Sequence, residues 1–300
     1  MKPLELVVLS GKGGTGKTTV AAGLAVIANT EGISMVLADC DVDAPNLGLM
    51  LPVALRTADP FTGGEIAEID LDRCTQCGLC RDNCQFEAVS ADFVVDIYVC
   101  EGCGVCSLVC PSDAATMHPD VCGNVGVGET SAGPLVDAAL LPGRGNSGKL
   151  VAAVRQRARE VAEAEEAFVI LADGPPGLGC SVISTLTGAD LALLVTEPSS
   201  SGTHDLARTM ELCGQLNVPC VVAINKSDLN ARGQQALERL CAGYDVELLG
   251  RLPFDAGFAR RLAAGQPLTQ GDIPAYEPIG LAMRDLWTRL ITRLREMAPA

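Results

Sequence analysis

The sequence predicts an α/β chain: a doubly wound, mostly parallel sheet interrupted by one small inserted α+β domain. Three observations carry this. Short apolar runs rich in Val, Leu, Ile and Ala alternate with helical segments, the pattern of parallel strands covered on both faces. The first run passes through a glycine-rich loop straight into an Ala-rich helix. Eight of the fourteen cysteines crowd between Cys74 and Cys110 and break the alternation.

Composition bounds the function. Three hundred residues suit one large domain and one small one. Hydrophobic residues make up 48% and aromatics only 3%, so the core must be aliphatic. The net charge is −15, with no basic patch to neutralise phosphates, so nucleic-acid binding is not expected. Residues 1–10 read as a strand rather than a leader, and no apolar stretch is long enough to cross a bilayer. With so many cysteines read as reduced thiols, the chain is expected to be cytoplasmic.

The elements follow in order. Residues 6–10 form the first strand and 20–28 the helix after the loop. A second strand, 35–39, ends at Asp39 and leads into Cys40, Asp41, Val42 and Asp43. Residues 168–173 form a strand ending at Asp173, followed by Gly-Pro-Pro-Gly, and 191–196 and 220–225 are two more. Helices are expected at 148–166, 203–216 and 233–242. The last segment, 281–297, sets Leu286, Trp287, Leu290, Ile291 and Leu294 on one side. It is expected to pack on the sheet rather than bind membrane. In such sheets ligands sit at the carboxyl ends of the strands.

The loop reads Gly11, Lys12, Gly13, Gly14, Thr15, Gly16, Lys17, Thr18, Thr19. This satisfies G-x₄-G-K-[ST] in its strand–loop–helix context. Its glycines let backbone N–H groups curl around phosphates, and the helix N-terminus adds its positive end. Lys17 is expected at the β- and γ-phosphates and Thr18 on Mg²⁺. With its second lysine, Lys12, the loop resembles that of the deviant Walker A ATPases of the MinD/ParA/Mrp group.

That resemblance implies ATP-dependent dimerisation, as a homodimer or with a related ATPase, and Lys12 reaching the partner's phosphates. It implies that Asp41 orients the attacking water, with Asp43 as the rival, and that Asp173 holds Mg²⁺ through water. Asn225 would read the adenine edge, and the loop after Pro253 would cover the base. Asn225, Lys226 and Asp228 also fit the N-K-x-D guanine signature; the Lys12-type loop favours ATP.

The cysteines form two C-x₂-C-x₂-C-x₃-C runs, the second followed by Pro111 and the first by Gln85. A tandem pair of such runs holds two [4Fe–4S] clusters, the fourth cysteine of each run ligating the other cluster. Cys74, Cys77, Cys80 and Cys110 are assigned to one, and Cys100, Cys103, Cys106 and Cys84 to the other. Structural zinc uses separated knuckles instead. A ferredoxin-like domain is placed at 62–118, with junctions at 61–64 and 118–119. The ATPase is then split into 1–61 and 119–300.

Outside the insert the chain resembles MinD-superfamily P-loop ATPases carrying an inserted ferredoxin domain. Residues 143–150 resemble a motif of that subgroup but have no evident chemistry. Cys180 follows Asp173 at the spacing of a cluster ligand in the nitrogenase iron protein, without a convincing second cysteine. The expected function is an ATPase whose nucleotide state is coupled to two clusters, serving a redox partner or a metallocluster acceptor. The rivals are an iron–sulfur carrier or scaffold with ATP-controlled release, and a positioning ATPase of the MinD/ParA type. The C-terminal C-x-x-C of Mrp-type carriers is not present.

Overall fold

The structure, a computed structural model, describes residues 2–269 and 277–298. The chain divides into two compact units. Met1–Ala58, Val125–Ala139 and Ser147–Ala300 form the first; Asp59–Asn124 and Leu140–Asn146 form the second.

The first unit opens with β1 (Leu4–Ser10), α1 (Lys17–Thr30), β2 (Met35–Asp39) and the short α2 (Leu47–Met50). After the excursion to the second unit come β5 (Gly133–Leu140) and α5 (Ser147–Ala164), then β6 (Val169–Pro176), α6 (Cys180–Leu186), β7 (Leu191–Thr196), α7 (Ser200–Gln215) and β8 (Cys220–Asn225). The unit closes with α8 (Ala231–Gly243), β9 (Leu248–Leu252), α9 (Ala256–Ala263) and α10 (Ile279–Met297). Two long strands, β3 (Ala54–Ile69) and β4 (Ala115–Thr130), carry the chain out and back.

The sheet order is β3-β4-β5-β2-β6-β1-β7-β8-β9. From β5 to β9 every neighbouring pair is parallel. The chain winds one way from β1 to β2 and the other way from β7 to β9, so β1 marks the point where the order reverses. A crevice for ligands opens there, beyond the strand ends. Register does the rest: Asp173 pairs with Val8 on one side and Asp39 on the other, which sets two carboxylates beside the start of the glycine loop.

All seven residues of β1 and all five of β2 are buried, as strands covered on both faces must be. Helix α1 is apolar through its middle, from Val20 to Ala28, and buries ten residues. It shares a core with α10, whose Met283, Leu286, Trp287, Leu290 and Leu294 recur at helical spacing. Trp287 is fully buried, and its Nε1–H donates to Glu31 at 3.0 Å. Burying each such side chain contributes roughly 1.5–3 kcal/mol. The apolar face of the last helix is therefore spent on the core, and among the described residues no helix is long and apolar enough to cross a membrane.

The second unit is a two-fold repeat in sequence and conformation. Gly78 and Gly104, both left-handed, precede the one-turn helices α3 (Leu79–Asp82) and α4 (Val105–Leu108). Glu87 and Asp113 take matching positive φ of 55° and 51°. Ile69, Cys80, Val89, Phe93 and Ala115 form a small core with five cysteine and valine neighbours. The junctions expected at 61–64 and 118–119 lie inside β3 and β4 rather than in loops. Residues 140–146, distant in sequence, join this unit.

Candidate functional site

At the end of β1 the loop turns through Gly14 and Gly16, with φ of 79° and 90°. A Cβ on Gly16 would also collide with the Asn225 amide, so two constraints require glycine there. A cavity of about 600 Å³ opens over the loop, walled by Gly13 to Thr19, Asp41, Asn46, Pro176 and residues 262–266. That volume is in the range that holds a nucleotide-sized ligand.

Lys17 is buried at the floor. Its Nζ donates to Asp173 Oδ1 at 2.9 Å and to Thr18 Oγ1 at 3.3 Å, and lies 4.0 Å from Asp41 Oδ2. Asp39 completes the group, accepting from the backbone N–H of Asp41 at 3.1 Å and of Leu47 at 2.9 Å. One lysine thus faces three carboxylates. Burial raises the pKa of Asp173 and of Asp41, against the pull of Lys17. Asp41 lines the cavity, whereas Asp43 is exposed. Two buried atoms at the site have no hydrogen-bond partner, Thr15 Oγ1 and Asp173 Oδ2. An orphaned carboxylate oxygen beside a threonine and surplus negative charge suits a hydrated Mg²⁺, which keeps waters and takes few protein ligands.

Burial first, and then the Asp173 carboxylate, push Asp39 from 3.8 up to about 7. The folded chain therefore holds a proton that the unfolded chain releases. The stability from this proton is fully present below about pH 4 and is lost as pH rises towards 7. Ligand-free protein is expected to melt at falling temperature between about pH 5 and 7.5, with a slope of at most about 1.4 kcal/mol per pH unit from this group. Thermal melts across that range check it: Asp39→Asn should flatten the slope, and an unchanged slope would refute the assignment.

Lys12 is folded back within its own chain. Its Nζ pairs with Glu197 Oε1 at 2.6 Å and donates to Ser201 Oγ at 2.9 Å and Ser199 Oγ at 3.3 Å. Lys226 takes the other Glu197 oxygen at 2.9 Å and donates to Gly14 O at 3.0 Å. Burial works to raise the Glu197 pKa, and these two lysines outweigh it. Asn225 does not line the cavity; it is buried, with Nδ2 donating to Thr15 O at 2.7 Å and Oδ1 accepting from Lys226 N at 2.9 Å. Asp228 Oδ1 accepts from the N–H of Phe254, just after Pro253, at 2.7 Å. The wall at 262–266 was missed in the sequence, although Asp255 caps α9 through the N–H of Phe258 and Gly265 follows with positive φ.

In the second unit the cysteines sort across the two runs. Cys84 of the first run shares one small cavity with Cys100, Cys103 and Cys106 of the second, walled by Ala67, Phe86 and Met117 among others. Burial raises the Cys106 pKa, and the Cys100 and Cys103 thiols add to it. Burial likewise raises Cys80, with Cys74 and Cys110 adding. Burial also acts to raise Cys110, but N–H groups of residues 112, 114 and 115 outweigh it and lower its pKa; the Ala114 N–H lies 3.3 Å from the sulfur. Cys77 and Cys103 are exposed. Among the described residues no three Cys, His, Asp or Glu side chains converge tightly enough for a single metal ion. Of the other cysteines, Cys40, Cys122, Cys213 and Cys241 are buried and Cys180 is exposed at the start of α6.

The profile of the CobQ/CobB/MinD/ParA nucleotide-binding domain matches residues 6–268. The chain belongs to this family. An uncharacterized family relative from Methanocaldococcus jannaschii is 34% identical over 87% of this chain and 88% of its own length. A protein of Pyrococcus abyssi named iron-sulfur cluster carrier protein is 24% identical over 98% of this chain and 87% of its own. Among solved structures, the cell division ATPase MinD of Pyrococcus furiosus superposes with a TM-score of 0.61 at 20% identity, covering 98% of this chain and all of that one. At that identity the likeness establishes the fold, a mostly parallel α/β sheet of the MinD type.

Proposed function

We propose that this chain is an ATPase whose nucleotide state is coupled to two [4Fe–4S] clusters, for electron transfer to, or metallocluster assembly on, a partner protein. The observation that carries it is the cavity where Cys84 meets Cys100, Cys103 and Cys106, on a chain that also bears a complete phosphate loop. Cys74, Cys77, Cys80 and Cys110 would hold the other cluster. The loop amides and Lys17 would bind the ATP phosphates, with Thr18 and Asp173 on Mg²⁺. ATP, when bound, would supply the leaving group and Mg²⁺ would offset its charge; Asp41, which lines the cavity, would orient the attacking water.

To act across a dimer, Lys12 would have to leave Glu197, Ser199 and Ser201. Asn225 buttresses the loop through Thr15 O. The engagement of Asp228 with Phe254 favours ATP over a guanine reader. Between Asp59 and Asn124 stand twelve acidic residues against two arginines and no lysine, which suits a partner with a basic face.

The test is an anaerobic redox titration of the clusters, with and without MgATP. By linkage, a tenfold difference in ATP affinity between oxidised and reduced protein would shift a one-electron potential by about 59 mV. Such a shift is the expected result. Stable clusters with no shift would sink the coupling and favour the carrier reading, which the relatives named for that role support.

A further inference from the structure

The 143–150 motif takes no part in the nucleotide cavity, and its first half lies in the cysteine-bearing unit. Arg144 Nη1 donates to Ile97 O at 2.8 Å. Its Nη2 pairs with Asp120 at 3.1 Å, both side chains being nearly buried. The guanidinium lies 5.7 Å from the centre of the Tyr98 ring. Gly143, at φ 74°, lies against the same ring, where a Cβ would stand 2.9 Å from Cδ1.

These contacts fall on one turn, and its twin shows what they add. From Asp70 to Cys74 and from Asp96 to Cys100 the chain makes the same turn. The aspartate carboxylate accepts from the N–H two residues on at 2.9 Å in both, and its carbonyl accepts from the cysteine N–H at 3.0 Å in both. At the first turn the nearby arginine, Arg73, belongs to the turn itself and reaches Ser112 O at 3.3 Å. At the second, the arginine comes from 44 positions beyond Cys100 and grips both the backbone and the ring of the turn.

We infer that Arg144 is a positioning residue for the second cluster: it fixes the turn that presents Cys100, and so makes inequivalent two cluster sites whose turns otherwise match. The inference rests on the iron–sulfur reading. Hydrogen bonds to the sulfurs and solvent exposure set the potential of such a cluster, and groups behind the ligands orient them. Removing Arg144 frees Ile97 O and the Tyr98 ring and leaves the Asp120 carboxylate buried without its partner. The turn before Cys100 then loosens and water gains access beside it, while the turn before Cys74 is untouched.

The test uses the full-length protein under anaerobic conditions. Wild type, Arg144→Ala and Arg144→Lys are titrated electrochemically and followed by EPR, with Cys106→Ser identifying the second cluster's signal. Arg144→Ala is expected to shift the potential and line shape of the second cluster, or to lose that cluster first to a chelator, with the first unmoved. Lysine keeps the charge but cannot span Ile97 O and Asp120 together, so Arg144→Lys should give an intermediate shift. If the alanine variant does not fold, the lysine variant decides by the same comparison. Equal shifts of both clusters, or none, would mean that Arg144 only holds the unit together and would overturn the inference. A wild type without clusters would overturn the iron–sulfur reading with it; two clusters indifferent to Arg144 would overturn this inference alone.

Discussion

Replacing Lys17 with alanine is expected to lower ATP turnover at least about 100-fold, the usual loss when one preorganised charge is removed from a transition state. The structure adds a second effect that a surface lysine would not show. The Lys17 ammonium lies within 4.0 Å of both Asp173 and Asp41, and it also offsets Asp39. Without it, three neighbouring carboxylates must either take up protons or stay charged in a buried site. Breaking a buried pair in this way costs roughly 3 kcal/mol. The carboxylate pKa values rise further, so the added instability grows with pH. The variant should melt close to wild type near pH 6 and well below it near pH 8. Equal melting differences at both pH values would show that Lys17 does not serve as the counter-charge.

Replacing Cys106 with serine is expected to cut bound iron from about eight atoms per chain to about four, because a serine hydroxyl replaces one thiolate of one cube. Cys106 is half-buried and faces the cavity it shares with Cys84. The variant Cys84→Ser should therefore lose the same EPR signal as Cys106→Ser, although the two residues come from different runs. Cys110→Ser should lose the other signal, together with Cys74→Ser. Iron analysis and EPR on the four variants decide the matter. Pairing by run, with Cys84 grouping with Cys74, would refute the crossed arrangement.

Much of this was legible in the sequence. The buried strands announce themselves because both faces are covered, so apolar runs are uninterrupted, and the glycine loop has a fixed place between strand and helix. The carboxylates Asp39 and Asp173 stand at strand ends, where the parallel fold collects its ligands. What stayed hidden depends on partners far along the chain. The sequence does not show that the Asn225 amide sits against Thr15 O, in room left by Gly16, which lacks a Cβ. Lys12 looks free to swing outward, but Glu197 lies 185 positions away and holds it. The 143–150 segment showed no chemistry because its role depends on the carbonyl of Ile97 and the carboxylate of Asp120. Gly63 and Gly64 read as a domain junction, yet they lie in a strand where Gly63 makes room for Cys122 and Asn146.

The cysteine-bearing unit is assembled from two stretches of chain, and this limits how it can be moved. A cassette cut at Asp59 and Asn124 and grafted elsewhere would carry all eight thiols of the two runs but leave Arg144 behind. Asp120 would travel with it, still nearly buried and now without a counter-charge. Shuffling this module into another scaffold therefore requires a scaffold that returns a strand and an arginine to the same place, and the host and its guest have to be inherited as a pair.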